Sequence, residues 1–305
     1  MAAIAVNVAT PSRTVFVTPV WVADRGGFYR DAGIALKLEI INNSEQIAAQ
    51  VRSGASHVSI DGPEAAILDC FTGGPHRVIA GNANKLPHFI IAQARYKKLA
   101  DLRGANIGVL SLHEGTAKFI PRIMATAGLK PGDYKITQVG GAPTRWKLLQ
   151  DGKIDVGMQP FPLSYQAEAA GFSNLGWTGD YEPDWQFTAV NTNSIWARDN
   201  KDTVVAFLAA TLRGWQYTMA RLDDAAGIAA EELQTTAPFA KRAIEEVIER
   251  RIFDPKLDWS QAGLAAIYHN LQDDGAVPAD AAFDITRFAD ARYLREAQRI
   301  LAGAA

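Results

Sequence analysis

The sequence predicts an α/β protein built from two similar lobes. With 305 residues, the chain is about twice the length of a common domain. Short strands rich in β-branched residues alternate with helical patterns, which is typical of α/β folds. Residues 51–63 (VRSGASHVSIDGP) and 148–160 (LLQDGKIDVGMQP) also share one layout, in which a helix ends, the chain turns at a glycine, a short strand follows, and a new helix starts at a proline.

The first part of the chain alternates strands with helices. Residues 15–25 are predicted as a loop or short helix that ends at two glycines. Ser44 caps a helix over 44–52, and Pro63 opens a second helix that ends at Phe71. The predicted strands of this part cover 4–9, 35–41, 57–60, 77–80 and 89–93.

The second part repeats the alternation and then becomes helical. Strands are predicted at 106–110, 135–139 and 154–158, and extended chain at 187–191 and 194–197. The intervening helices cover 116–127, 143–150 and 160–170. Beyond residue 200 the pattern is almost wholly helical, over 203–221, 224–232, 240–250, 259–270 and 289–301. Apolar stripes on these helices need a partner surface, so we expect this tail to pack on the first lobe.

Composition excludes several classes of protein. The chain is 48% hydrophobic and 21% charged with a net charge of −2, which favours a buried core and gives no basic excess for nucleic acid or anionic lipid. Cys70 is the single cysteine, so neither an intrachain disulfide nor a cysteine-rich zinc site is expected. No apolar run approaches the roughly 20 residues that span a bilayer, so we expect no membrane insertion.

The N-terminal segment is unlike a signal peptide. It has no Lys or Arg before its apolar stretch, and Asn7 interrupts that stretch. We expect a cytoplasmic location if Met1 is native and a periplasmic location if a signal peptide was removed.

Several motifs resemble one known superfamily. They are residues 19–23 (PVWVA) with 27–34 (GFYRDAGI), Ser53-Gly54, 99–109 (LADLRGANIGV) and 152–156 (GKIDV). Together they resemble the type II periplasmic-binding-protein superfamily, in the NMT1/THI5-like branch that serves nitrate, sulfonate, taurine and thiamine-precursor ABC transporters. The resemblance covers about residues 3–220.

This resemblance implies a specific architecture. Each lobe is Rossmann-like with a mixed five-stranded sheet, two crossings join the lobes, and the ligand cleft lies between them. Lobe one is expected at 1–93 plus 190–305, with the helical tail packed on it, and lobe two at 94–189. Ligands of open α/β sheets bind beyond the carboxyl ends of the strands, so the loops at those ends are the expected binding loops.

Polar loop residues supply the candidate ligand contacts. In the first lobe, Arg13 offers a guanidinium fork suited to a carboxylate or sulfonate. Asp61 is expected to order its loop or to accept a hydrogen bond from a ligand amine or hydroxyl. The expected contacts of this lobe are Arg13, Thr14, Asn43, Ser44, Asp61, Gly62, Asn82 and His88, with Trp21 as an aromatic wall. Trp185, which falls in lobe two by these bounds, is expected to supply another aromatic wall.

The loop 111–116 is the strongest candidate of the second lobe. Its Ser, Gly and Thr could cradle an oxyanion at a helix start. The expected contacts of the second lobe are Ser111, His113, Gly115, Thr116, Arg145, Gln159 and Phe161.

We therefore expect a monomeric solute-binding protein that captures a small organic anion for an ABC-transporter permease. The alternative is a lyase, decarboxylase or hydrolase on the same fold that uses His113, Glu114 and His88, since a fold does not fix a function. A cytosolic ligand sensor is a third hypothesis. His88 and His113 have no third ligand at metal spacing, so no metal or cofactor is expected.

Overall fold

The computed structural model describes residues 3–110, 112 and 115–303, with only the backbone of 115 and 116. The chain divides into two compact units. One comprises the chain up to Lys85 together with the chain from Asp184 onwards, and the other is Leu86–Pro183. These units are called lobe one and lobe two from here on. The chain therefore passes from lobe one into lobe two and returns, so two crossings join the lobes.

The described strands are β1 (Ile4–Thr10), β2 (Ile34–Ile40), β3 (Val58–Asp61), β4 (His76–Gly81), β5 (His88–Ala92), β6 (Asn106–Val109), β7 (Lys135–Gln138), β8 (Val156–Pro160), β9 (Ser173–Trp177) and β10 (Ala189–Asn193). The described α-helices are α1 (Thr18–Arg25), α2 (Phe28–Asp31), α3 (Ser44–Ser53), α4 (Glu64–Thr72), α5 (Gly115–Thr126), α6 (Ala142–Gln150), α7 (Leu163–Ala169), α8 (Ser194–Asp199), α9 (Lys201–Ala220), α10 (Leu222–Leu233), α11 (Ala237–Glu249), α12 (Gln261–Asp273) and α13 (Arg292–Gly303).

Each lobe contains one mixed five-stranded sheet, as predicted. In lobe one the strand order is β2-β1-β3-β10-β4, and β10 runs antiparallel to both of its neighbours. In lobe two the order is β7-β6-β8-β5-β9, and β5 runs antiparallel to both of its neighbours. One antiparallel strand near each chain crossing is therefore what makes each sheet mixed.

The structure differs from the sequence prediction in four elements. The strand over 88–92 belongs to lobe two, so the first crossing precedes this strand, whereas the predicted boundary followed it. Strand β9 was not predicted, because its half-exposed sequence SNLGW has little apolar character. Helix α2 was not predicted either, whereas the predicted short helix within 15–25 is present as α1, after a 3-10 turn. Residues 194–197 are helical rather than extended, because the Asn193 side chain caps α8 by accepting from two backbone N–H groups.

The helical tail packs on lobe one, as predicted. Its apolar stripe on α9 is buried, and Val22 of α1 shares a core cluster with Ala229 of α10 and Ile244 of α11. Helices α9 and α1 approach so closely that a Cβ at Gly214 would lie 2.3 Å from the Pro19 carbonyl oxygen. Among the described helices, none has the length and apolar character that crossing a bilayer requires.

Gly214→Ala should destabilise the protein although alanine favours helices, because the added methyl meets backbone atoms of α1 rather than a side chain that could move. We expect a loss of about 1–3 kcal/mol in the free energy of unfolding, measured by urea titration. Gly227→Ala on α10 is the matched control. A Cβ there meets nothing within 4 Å, so this variant should gain about 0.5–1 kcal/mol. Equal effects of the two substitutions would contradict the close helix approach.

Candidate functional site

The carboxyl ends of β1, β3 and β4 lie at one edge of the lobe-one sheet, beside the start of β10. Side chains connect these ends. The Thr10 hydroxyl donates to the Ile60 carbonyl at 3.0 Å. The Asn82 amide donates to the Thr188 hydroxyl at 2.9 Å and to the Phe16 carbonyl at 3.0 Å. This edge is where an open α/β sheet binds ligands, so it is the candidate site of lobe one.

A buried carboxyl dominates this edge. Asp61, at the end of β3, is 2% exposed. Its Oδ1 accepts hydrogen bonds from the Ser59 hydroxyl at 2.7 Å and from the Asn191 amide at 2.8 Å. Burial raises the pKa of Asp61 to about 6, and these two hydrogen bonds oppose that rise. Within the described residues, Oδ2 makes no hydrogen bond and no basic side chain forms an ion pair with Asp61.

Two threonines near the start of α1 are also incompletely bonded. Thr14 and Thr18 are buried, and neither hydroxyl has a hydrogen-bond partner among the residues that the structure describes. The same holds for the indole N–H of the predicted wall residue Trp21. A buried polar atom without a partner costs about 1–3 kcal/mol, so such atoms mark places where a ligand or water binds. Sequence reasoning identified Thr14, Trp21 and Asp61 but missed Thr18.

Other predicted lobe-one residues have structural partners. Arg13 forms an ion pair with Glu232 of α10, and its side chain is 49% exposed. Asn43 caps α3 by accepting from the Gln46 N–H at 2.8 Å, and Ser44 is exposed at the first position of that helix. Trp185 is buried, with its backbone packed on α12. The structure differs most from the expectation at Arg13, because its guanidinium pairs with Glu232, an acidic residue that is distant in sequence.

Gly62 and Asn82 lie at the same edge as Asp61. The Gly62 carbonyl accepts from the Asn191 amide at 3.4 Å, and both donor bonds of Asn82 go to protein oxygens. Gly62 and Asn82 therefore connect neighbouring segments of the carboxyl edge through hydrogen bonds.

Lobe two brings Arg145, Gln159 and His88 to the corresponding edge of its own sheet. His88 pairs with Pro160 at the end of β8, so His88 belongs to lobe two. Arg145 of α6 is 3% exposed and donates to the Met158 carbonyl at 2.8 Å. Burial, and then the positive charge of Arg145, lower the pKa of His88 to about 3, which keeps the imidazole neutral.

Gln159 is the least satisfied polar residue of this edge. It is fully buried, and neither its amide nitrogen nor its amide oxygen has a partner among the described residues. Phe161 follows it and stacks on Tyr165 with ring centroids 5.7 Å apart. The edge therefore combines a guanidinium, an amide that can both donate and accept, and an aromatic surface.

The remaining predicted residues of lobe two are Ser111, His113 and Glu114, which lie outside the described residues. Gly115 and Thr116 form the start of α5. Within the described part of the chain, no cluster of three or more His, Cys, Asp or Glu side chains could hold a metal ion.

Comparison with known proteins identifies a family and relatives of this chain. The family model described as NMT1/THI5 like matches residues 15–225. A Brucella abortus protein named as a binding protein is 22% identical over 277 residues, covering 85% of each chain.

Solved structures share the fold. The ligand-binding component of an ABC-type import system from Staphylococcus aureus has a TM-score of 0.77 at 12% identity, covering 97% of this chain and 99% of the other. The periplasmic aliphatic sulphonate binding protein SsuA from Escherichia coli has a TM-score of 0.68 at 16% identity, covering 93% and 91%. The desulfurization enzyme DSZB has a TM-score of 0.71 at 12% identity, covering 97% and 99%.

Asp61→Asn should change how stability depends on pH. Because the pKa of Asp61 is higher in the folded protein than in the unfolded chain, the free energy of unfolding of the parent should fall as pH rises from about 4 to about 6. The variant should therefore be more stable than the parent by about 2–3 kcal/mol above pH 7, and this advantage should vanish near pH 4. Urea unfolding across this pH range measures the difference. Asp280→Asn, at an exposed carboxyl, is the control and should show no such trend. A pH-independent difference for Asp61→Asn would contradict the raised pKa.

Proposed function

The chain belongs to the NMT1/THI5-like family, and we propose that it is a solute-binding protein that delivers a small organic ligand to an ABC transporter. The observation that carries this proposal is a set of buried polar groups at the carboxyl edge of lobe one that are incompletely bonded by the described residues: Asp61, Thr14 and Thr18. Such groups lower the stability of the empty protein and can be satisfied by a bound solute.

The proposed ligand is an organic anion that also carries a hydrogen-bond donor. The Arg145 guanidinium, buried at the carboxyl edge of lobe two, supports recognition of a carboxylate or sulfonate there. In lobe one, the open Oδ2 of Asp61 supports a ligand group that donates a hydrogen bond, such as an amine or a hydroxyl. The stacked rings of Phe161 and Tyr165 support an apolar or aromatic body.

The proposed partner is the permease of an ABC importer, and the proposed location is outside the cytoplasm. Both rest on likeness to proteins described as an import-system component and as periplasmic. An enzyme that uses His113, Glu114 and His88 is the alternative, and DSZB shows that an enzyme shares this fold. His88 stays neutral with a pKa of about 3, so it is a weak base for proton abstraction near pH 7.

A matched pair of ligands tests the proposed ligand class. Taurine carries an amine and a sulfonate, whereas ethanesulfonate lacks the amine. We expect the amino sulfonate to bind more tightly by titration calorimetry. Asp61→Asn should weaken taurine binding by about 1.5–3 kcal/mol and leave ethanesulfonate binding unchanged, because only taurine donates to Asp61.

Two arginine variants complete this test. Arg145→Gln should weaken the binding of both sulfonates, and Arg13→Ala, the matched control, should weaken neither. Preferential binding of a neutral sugar, or equal affinity of both sulfonates for the parent and Asp61→Asn, would overturn the proposed ligand class.

A further inference from the structure

Lobe one contains a cavity of about 470 Å³ outside the site described above. Its aromatic wall is formed by Trp215 of α9 and Phe253, whose rings meet edge to face with centroids 4.8 Å apart. Met219 of α9 and Ile248 of α11 also line it, and each is 37% exposed. Large apolar side chains exposed together at a concave surface indicate a binding site.

One donor of the same cavity, the Arg251 guanidinium, has no partner among the described residues. The indole N–H of Trp215 is buried and is not open to the cavity, and it makes no hydrogen bond within the described residues. The Arg251 guanidinium makes no ion pair or hydrogen bond there either, and Arg251 has a left-handed backbone with φ of 52°. The acidic side chain of the cavity, Asp254, is engaged by its own loop, since its Oδ1 accepts from the Lys256 and Asp258 N–H groups.

The residues that line the cavity differ from those of the carboxyl edge, although the Gln186 amide donates both to Asn84 and to the Thr188 carbonyl. Asn84, which lines the cavity, donates from its backbone to Ile252 and from its amide to Asp258, so it is bonded to the loop that forms the cavity. Asn82, two residues earlier, instead bonds to Phe16 and Thr188 at the candidate solute site.

We propose that this cavity is a second binding site, for a small carboxylate with an aromatic or aliphatic body. The volume suits a ligand of about one ring with a short side chain. The body would cover Met219 and Ile248, and the carboxylate would accept from the Arg251 guanidinium. This proposal does not depend on which solute occupies the carboxyl edge.

Phenylacetate is the probe that tests this site. In a ¹H–¹⁵N spectrum of the full chain, the indole signal of Trp215, assigned by its loss in Trp215→Phe, should move and saturate. Phenylacetamide has the same size without the charge and should bind roughly fivefold more weakly. Arg251→Asn should weaken phenylacetate to a similar extent, because asparagine tolerates the left-handed backbone but removes the guanidinium.

Two controls separate this site from others. Arg198→Asn, at an exposed arginine of α8, should leave phenylacetate binding unchanged, and so should Asp61→Asn. An indole signal that does not move would overturn the proposal. Equal binding of phenylacetamide, or equal binding by Arg251→Asn, would show an apolar cavity without carboxylate recognition and would also overturn it. Loss of the Trp215 response in Asp61→Asn would assign the signal to the solute site and refute a second site.

Discussion

The insertion of β10 between β3 and β4 is the constraint on which lobe one depends. This strand comes from the chain that returns after lobe two, and it pairs antiparallel with both neighbours. Its side chains also bond to the surrounding elements. The Asn193 amide donates to the Val51 carbonyl at 3.1 Å, and the Thr192 hydroxyl donates to the His57 carbonyl at 2.8 Å. The sheet of lobe one is therefore complete only once the chain has returned from lobe two.

The same strand positions the site carboxyl. Asn191 donates to Oδ1 of Asp61 in the fully buried part of the sheet, and Ser59 donates to the same atom, whereas Oδ2 accepts no hydrogen bond from the residues that the structure describes. Burial of this carboxyl costs stability, as its raised pKa indicates. The buried amide of Gln159, which has no partner within the part of the chain that the structure describes, lowers the stability of lobe two in a similar way. Costs of this kind are found at functional sites, where a stable fold maintains groups that only a ligand satisfies.

Much of the fold could be predicted from the sequence, because the two-lobe repeat and the strand–helix alternation are local patterns. The lobe to which β5 belongs could not be predicted in this way, because its pairing with β8 and β9 joins residues that are distant in sequence. Long-range pairing also explains why the candidate site could be predicted only in part. Arg13 has the chemistry of an anion contact, but its partner Glu232 is remote in sequence. Asn191 was missed, although a polar residue within a buried strand is a signal that could have identified it.

Recovery of a bound solute most directly tests the claim that this chain binds a ligand without transforming it. The protein is incubated for hours with the tightest ligand from a calorimetric screen, and the released solute is identified by mass spectrometry. The account predicts that the solute is recovered unchanged in stoichiometric amount. A converted product, formed by the parent and lost in His113→Ala, would contradict it and establish an enzyme on this fold.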